Sequence, residues 1–483
     1  MSLMGYTSLH SVAEHISRLV EAGEFNSALE LVHDFIERIF TEPLCTSQVL
    51  GSKRLDELCQ RIGSINLAGI DRSSFAVLPE STQPVYAYVV TKLQRSGGHT
   101  RVIEDFIKAR PHAWHVILST ELAGSSEADH LMSGLANQVH VVFESAGKQD
   151  DHQQRLDWLQ RRLLEVRPQR VCLFNHHQDS VAVAAVQPGM GFNISFYHHG
   201  DHHLCLGVFL PQAEHIDPHP MGYHSCRDEL GMDNIYIPLT IEDKGERFAG
   251  QPFMHDGVLT TCTAARSNKI EIPYFVSYLD MVPELLKATG GRHVHIGRLT
   301  PWALFRIRRG LKRLGISADR FVYTPWVPSV WKALQEHHVD LYVASFPYGG
   351  GLTLIEAMGA GMPVVLHQHV FSRVLSGIDI AYPGVFSWRE PAELLGICSS
   401  VTAGQLQQHS LLARTQYEKY HSQQVLVEAL ATDDGKGITP PGLSDSFRPQ
   451  RDEFAAWLES QVTIGHLLRR SAYRILRALR NRL

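Results

Sequence analysis

Two hydrophobic periodicities divide the chain. Through residues 1–70 apolar positions recur every three or four residues. Val12, Ile16, Leu19 and Val20 form one stripe, and Ala28, Leu29, Leu31, Val32, Phe35 and Ile36 form another. That is the helical period, and it predicts an all-helical N-terminal region with a turn at 21–25. From residue 84 the pattern changes. Short apolar, β-branched runs at 84–93, 114–119, 139–143, 170–174 and 193–197 alternate with helical stretches, notably 153–166. Strands that are apolar on both faces belong to parallel sheets covered by helices, so a doubly wound α/β domain is expected. A polar loop is read at 215–226, a strand at 235–239, and a charged, glycine-punctuated link at 241–250. A second set follows, with strands at 257–263, 293–297, 320–326, 341–344 and 364–366. Its helices are predicted at 300–314, 329–338, 352–361, 391–401 and 403–431. The fold class is therefore α/β: two Rossmann-like domains, at 76–245 and 246–431, behind an all-helical region at 1–75. Residues 432–483 are read as a flexible link and a helical tail.

Length and composition agree with this. A chain of 483 residues is long enough for several domains with cores of their own. A formal charge of −5 argues against nucleic acid as a partner. Seven scattered cysteines without a C-x-x-C read as buried thiols in a reducing compartment. With no run of membrane-spanning length and no signal-peptide pattern at the N-terminus, the expected location is the cytoplasm. The tail departs from the average: from Gly465 it carries six arginines and no acid, opposite a stripe of Leu467, Leu468, Ile475, Leu476 and Leu479. Such a helix either packs back onto the first domain or lies on an anionic membrane face.

The candidate chemistry lies at strand ends. The stretch 339–368 reads strand, glycine turn (Gly349, Gly350, Gly351), helix, strand, which is a βαβ unit. Its glycines let backbone amides approach an anion, and the helix start, including Thr353, adds its positive end. Glu356, one turn inside, is placed to accept from ribose hydroxyls. On these residues alone a nucleotide-diphosphate site and an ordinary tight turn both remain open. Lys269 and Arg266 occupy another strand-end turn and suit a pyrophosphate, or are solvated surface charges. Gly297 opens a third turn, and Trp326 and Val327 close the strand at 320–326 as contacts for a base, or as core.

In the first domain, His99 follows a Gly-Gly turn, either facing a ligand or capping a helix. The run His198-His199-Gly200-Asp201-His202-His203 is the densest polar cluster. It supports three readings: a metal site, a general base steered by Asp201, or a hydrogen-bonded loop. His202 and His203 are not separable here. The N-terminal G-x-F-x-x-A-L pattern resembles a tetratricopeptide helix pair, as a helical cap or a protein-docking module.

The run from Ala357 through Gly361 and Pro363 to Val365 resembles the donor segment of GT-B glycosyltransferases. The stretch 267–273 is similar to the lysine-bearing region of O-GlcNAc transferases. The turn 346–349, with an acid seven residues on, resembles that of bacterial adhesin N-glycosyltransferases. The resemblance implies two domains facing a cleft and a UDP-sugar donor held without a metal or other cofactor. It implies diphosphate contacts from Lys269 and Arg266, base contacts from Trp326 and Val327, and ribose contact from Glu356. His202, His203 or His99, with Asp201, would serve a protein, glycan or lipid acceptor. The relatives have aspartate where Glu356 stands. Retaining GT-B enzymes have glutamate where Tyr348 stands, so inversion is expected. No D-x-D is present. Two other classes stay open: a metal-dependent hydrolase on His199, Asp201 and His202, and a non-catalytic scaffold.

Overall fold

The computed structural model describes residues 8–41, 49–75, 83–95, 97–136, 140–247, 252–255, 257–431 and 437–450, together with 452–454, 456, 457, 468, 472 and 475. The first sheet has seven strands: β1 (Val85–Val90), β2 (Trp114–Ser119), β3 (His140–Ser145), β4 (Arg170–Phe174), β5 (Asn193–Tyr197), β6 (Ala213–Asp217) and β7 (Asn234–Tyr236). They lie in the order β3-β2-β1-β4-β5-β6-β7, parallel throughout. The second has six: β8 (Thr260–Ala264), β9 (Arg292–Ile296), β10 (Phe321–Thr324), β11 (Leu341–Val343), β12 (Val364–His367) and β13 (Phe386–Trp388). Their order is β10-β9-β8-β11-β12-β13, again parallel. Each order reverses once, between β1 and β4 and between β8 and β11. Sheets of this kind hold ligands in the crevice beyond the strands' carboxyl ends at that reversal.

The strands at 114–119, 170–174 and 193–197 fall where the pattern predicts. Two do not. β6 overlaps the stretch read as a polar loop, because Ala-Glu-His-Ile-Asp has no apolar run; its buried Asp217 is contacted by His215, His198 and Asn234. The short edge strand β13 is also absent from the pattern. The helix expected over 403–431 is two, Ala403–Tyr420 and Gln423–Ala431.

The helical region at the N-terminus packs on the first sheet. Its apolar stripes are consumed there, with Val12, Ile16, Val20, Leu29, Val32 and Ile36 buried in one core with Ala87, Val89 and Val171. Polar contacts fix the docking: Asp56 accepts from the amides of Gly207 (2.8 Å) and Phe209 (2.9 Å), and Ser180 Oγ donates to Leu29 O at 2.8 Å.

Two passages of the chain between the sheets run side by side. Ile241 N donates to His421 O at 2.9 Å, Tyr417 Oη donates to Ile241 O at 2.8 Å, and His421 Nδ1 lies 2.8 Å from Leu239 O. Helix Gln423–Ala431 then returns to the first sheet, where Gln423 Nε2 donates to Asp105 Oδ1 at 3.1 Å. Beyond it Ile438 N donates to Tyr236 O, and Gln450 N to Val370 O, so this segment straps one half to the other. The tail arginines, with the docking or membrane contact expected of them, lie outside the described residues. Among the described residues, no helix is long and apolar enough to cross a membrane.

Candidate active site

The loops flanking the reversal of the second sheet carry Lys269 after β8 and the glycine turn after β11. These two features, 80 residues apart in sequence, are in contact: Lys269 Nζ donates to Gly349 O at 3.0 Å, and Tyr348 N donates to Lys269 O at 3.2 Å. A Cβ placed on Gly350 would lie 3.3 Å from that Nζ. Burial, with Arg266 adding repulsion, pushes the Lys269 ammonium down to about 8. Helix Gly351–Gly359 starts here with Gly350 as its N-cap and no side chain capping it. Its first amides therefore face the lysine without a side-chain acceptor, and their partial positive charge adds to that of Nζ.

The other donor-side residues are distributed around this centre. Arg266 is exposed, at the turn before the short helix Ser267–Ile270. Thr353 Oγ1 donates to Gly350 O at 3.0 Å, so this hydroxyl braces the turn. Gly297 has a packing reason. Its φ is +124°, and a Cβ there would lie 2.1 Å from Ala265 O, so only glycine lets the two strand-end turns approach so closely. Trp326 is 64% exposed, which removes the core-tryptophan alternative, while Val327 is half-buried against the core. Glu356 faces the same loop. Burial raises its carboxyl above the usual range, opposed by Lys244, Arg101 and the amides of Trp331 and Val330; Lys244 Nζ is 4.0 Å away.

Across the cleft, the first sheet presents its histidines. His99 stacks on His199, centroids 4.3 Å apart, with His176 at 5.3 Å from His99. Burial, with repulsion from His199 and His176, holds His99 well below its ordinary value; burial, with repulsion from His176, His202 and His198, pushes His199 down to about 3, so both are neutral imidazoles near pH 7. His202 and His203 separate clearly. His203 is buried at 4% exposure, whereas the His202 side chain is 25% exposed beside Asp201, Nδ1 to Oδ1 3.6 Å.

Asp201 makes its closest contact with a residue absent from the sequence candidates. His219 Nδ1 lies 2.8 Å from Asp201 Oδ2. Burial pulls that imidazole down, but the carboxylate more than offsets this, and the net displacement is upward; Asp201 is held well below the carboxylate range despite its burial. The opposite nitrogen, His219 Nε2, points across the cleft: a Cβ on Gly351 would lie 3.5 Å from it and 3.2 Å from Leu239 Cδ1. The Asp201–His219 pair thus faces the uncapped helix start of the other sheet. His219 follows the unpredicted strand β6 by two residues, and the signal available in the sequence was the D-x-H pair at 217–219. His199, Asp201 and His202 do not form the convergent set of metal-binding side chains found among the described residues, which consists of other residues.

No family model matches the chain, and no curated protein matches it. Solved structures do. A glycosyltransferase from Rickettsia africae superposes with a TM-score of 0.54 at 11% identity, over 72% of this chain and 97% of its own. The Anabaena protein HepE, solved with UDP and glucose, gives 0.53 at 12%, over 72% and 98%. The lipopolysaccharide outer core galactosyltransferase WaaB gives 0.50 at 15%, over 71% and 96%. The fold is GT-B. Two Rossmann-like sheets with their carboxyl edges opposed define that fold, and here the GT-B cleft runs between the histidine loops of one sheet and the Lys269–glycine turn of the other. The lips touch, since a Cβ on Gly98 would lie 2.8 Å from Leu352 Cδ1.

Proposed function

We propose that this chain is a glycosyltransferase that moves a sugar from a UDP-sugar donor to a protein, glycan or lipid acceptor, with inversion and without a metal ion on the diphosphate. The observation that carries the reading is the convergence of Lys269 Nζ, the Gly349–Gly350 backbone and an uncapped helix start at the reversal point of the second sheet. A cation and backbone amides together stabilise the charge that develops on a departing diphosphate, where a metal-using enzyme would place a divalent ion. UDP and UDP-glucose are bound in structures of HepE, a protein of the same fold, which supports the choice of donor.

In this reading Glu356 takes the ribose hydroxyls, and Trp326 and Val327 take the base. Thr353 serves by shaping the turn. The acceptor's proton passes to His219 Nε2, with Asp201 fixing the ring through Nδ1; this replaces His202 and His203 as the base. His99 and His202 line the acceptor side. Calorimetry with UDP tests the donor half directly. Wild-type protein binds UDP without added divalent ion, and Lys269→Ala loses about 2 kcal/mol or more, some 30-fold in Kd, because a buried charge pair is broken. Unchanged affinity in a variant with native circular dichroism overturns the assignment.

A further inference from the structure

Behind the Asp201–His219 pair lies a second cluster. His198 directly follows β5. His215 and Asp217 sit two apart on β6 and so share a face. Cys226 lies in a π-helical turn, Ser225–Glu229, that continues helix Pro220–His224. All four side chains are buried, and their ligand atoms lie within 4.8 Å of one another. Asp217 Oδ1 lies 3.1 Å from His198 Nδ1 and 3.4 Å from His215 Nε2, and Cys226 Sγ is 3.6 Å from His198 Nδ1.

We propose that His198, His215, Asp217 and Cys226 form a closed, structural zinc site. Three observations favour this over a hydrogen-bonded core. First, the three closest separations are near the edges of a tetrahedron: zinc bonds to N, O and S at their usual lengths place neighbouring ligand atoms about 3.3–3.6 Å apart. Second, His198 Nδ1, Asp217 Oδ1 and Cys226 Sγ converge on one another in the buried core, and a cation serves all three atoms at once. Third, the carboxylate has an outer partner that orients it, since Asn234 Nδ2 donates to Asp217 Oδ2 at 2.6 Å and to Tyr223 O at 2.9 Å. The set Cys, His, His, Asp is a borderline-soft one that suits zinc, and four protein ligands leave no open position for a substrate or water. On binding, the Cys226 thiol releases its proton to solvent and the thiolate takes the metal. The ion would tie β5, β6 and the helix after it at the point where Asp201 and His219 leave the sheet. It is a different set from the His199–Asp201–His202 hydrolase centre considered above, and it does not depend on the glycosyltransferase reading.

The test uses the full chain, expressed with zinc and dialysed against metal-free buffer. Elemental analysis is expected to find equimolar zinc. Replacement by cobalt(II) is expected to give a near-ultraviolet thiolate-to-cobalt band with intense tetrahedral d–d absorption. Cys226→Ser loses the thiolate band, whereas Cys398→Ser, a buried thiol of the other half, keeps it. Substoichiometric zinc in the wild-type protein, a cobalt spectrum without a thiolate band, or a band that survives Cys226→Ser each overturns the proposal. The first two readings need no variant and hold even if Cys226→Ser does not fold.

Discussion

Lys269 is a lysine whose charge is conditional. Burial and Arg266 bring it down to about 8, so near pH 7 it is mostly protonated but loses its charge within the range open to experiment. A bound diphosphate favours the ammonium and raises its pKa. Through Lys269, UDP affinity is therefore expected to fall as pH rises through about 8, approaching tenfold per unit until the bound-state pKa is reached. Calorimetry at pH 6.5, about 8 and above in matched ionic strength measures this, and an affinity independent of pH refutes it. The lysine, the glycine turn and Glu356 were legible in the sequence because each lies in a local pattern at the end of an apolar run. What no local pattern contains is that Lys269 touches Gly349 or that Asp201 belongs to His219, since those contacts form across 80 and 18 positions. The Gly297 reading was altered by the same non-local packing: the glycine is required by Ala265, the neighbouring turn.

At the scale of elements, β6 decides how the first half works. A five-residue strand with three polar residues escapes any search for apolar alternation, because the partners that make its burial tolerable come from β5, from β7 and from the helix after it. Strands with two apolar faces, such as β4 and β5, could be read to the residue. Missing β6 converts the 217–219 turn into anonymous loop and hides His219. If the imidazole takes the acceptor's proton, His219→Ala lowers kcat by about 10²-fold or more while leaving the Kd for UDP within a few-fold, because the proposed donor contacts belong to the other sheet. His202→Ala, by contrast, is expected to act mainly on the acceptor's KM. A variant of His219 that keeps full turnover removes it from the mechanism.

At the scale of the molecule, two Rossmann-like sheets were legible as a repeated pattern, and the strap formed by 437–450 was not, since a Gly- and Pro-rich stretch shows neither period. The lips of the cleft meet where Gly98 faces Leu352. A branched side chain there presses on the flexible end of Leu352, in the first turn of the helix that follows the glycine turn. Gly98→Val is expected to reduce turnover severalfold while UDP binding stays within twofold; steady-state kinetics beside calorimetry distinguishes this from a loss of donor contacts.

The paired passages at Ile241 and His421 carry a mechanical consequence. Three hydrogen bonds stitch them together. Sliding one half past the other would tear all three, whereas a swing about that seam leaves them whole. In the proposed transferase, opening by rotation about this seam would keep those three bonds, with the strap at 437–450 bridging the halves beside it and the widest travel at the rim farthest from the seam.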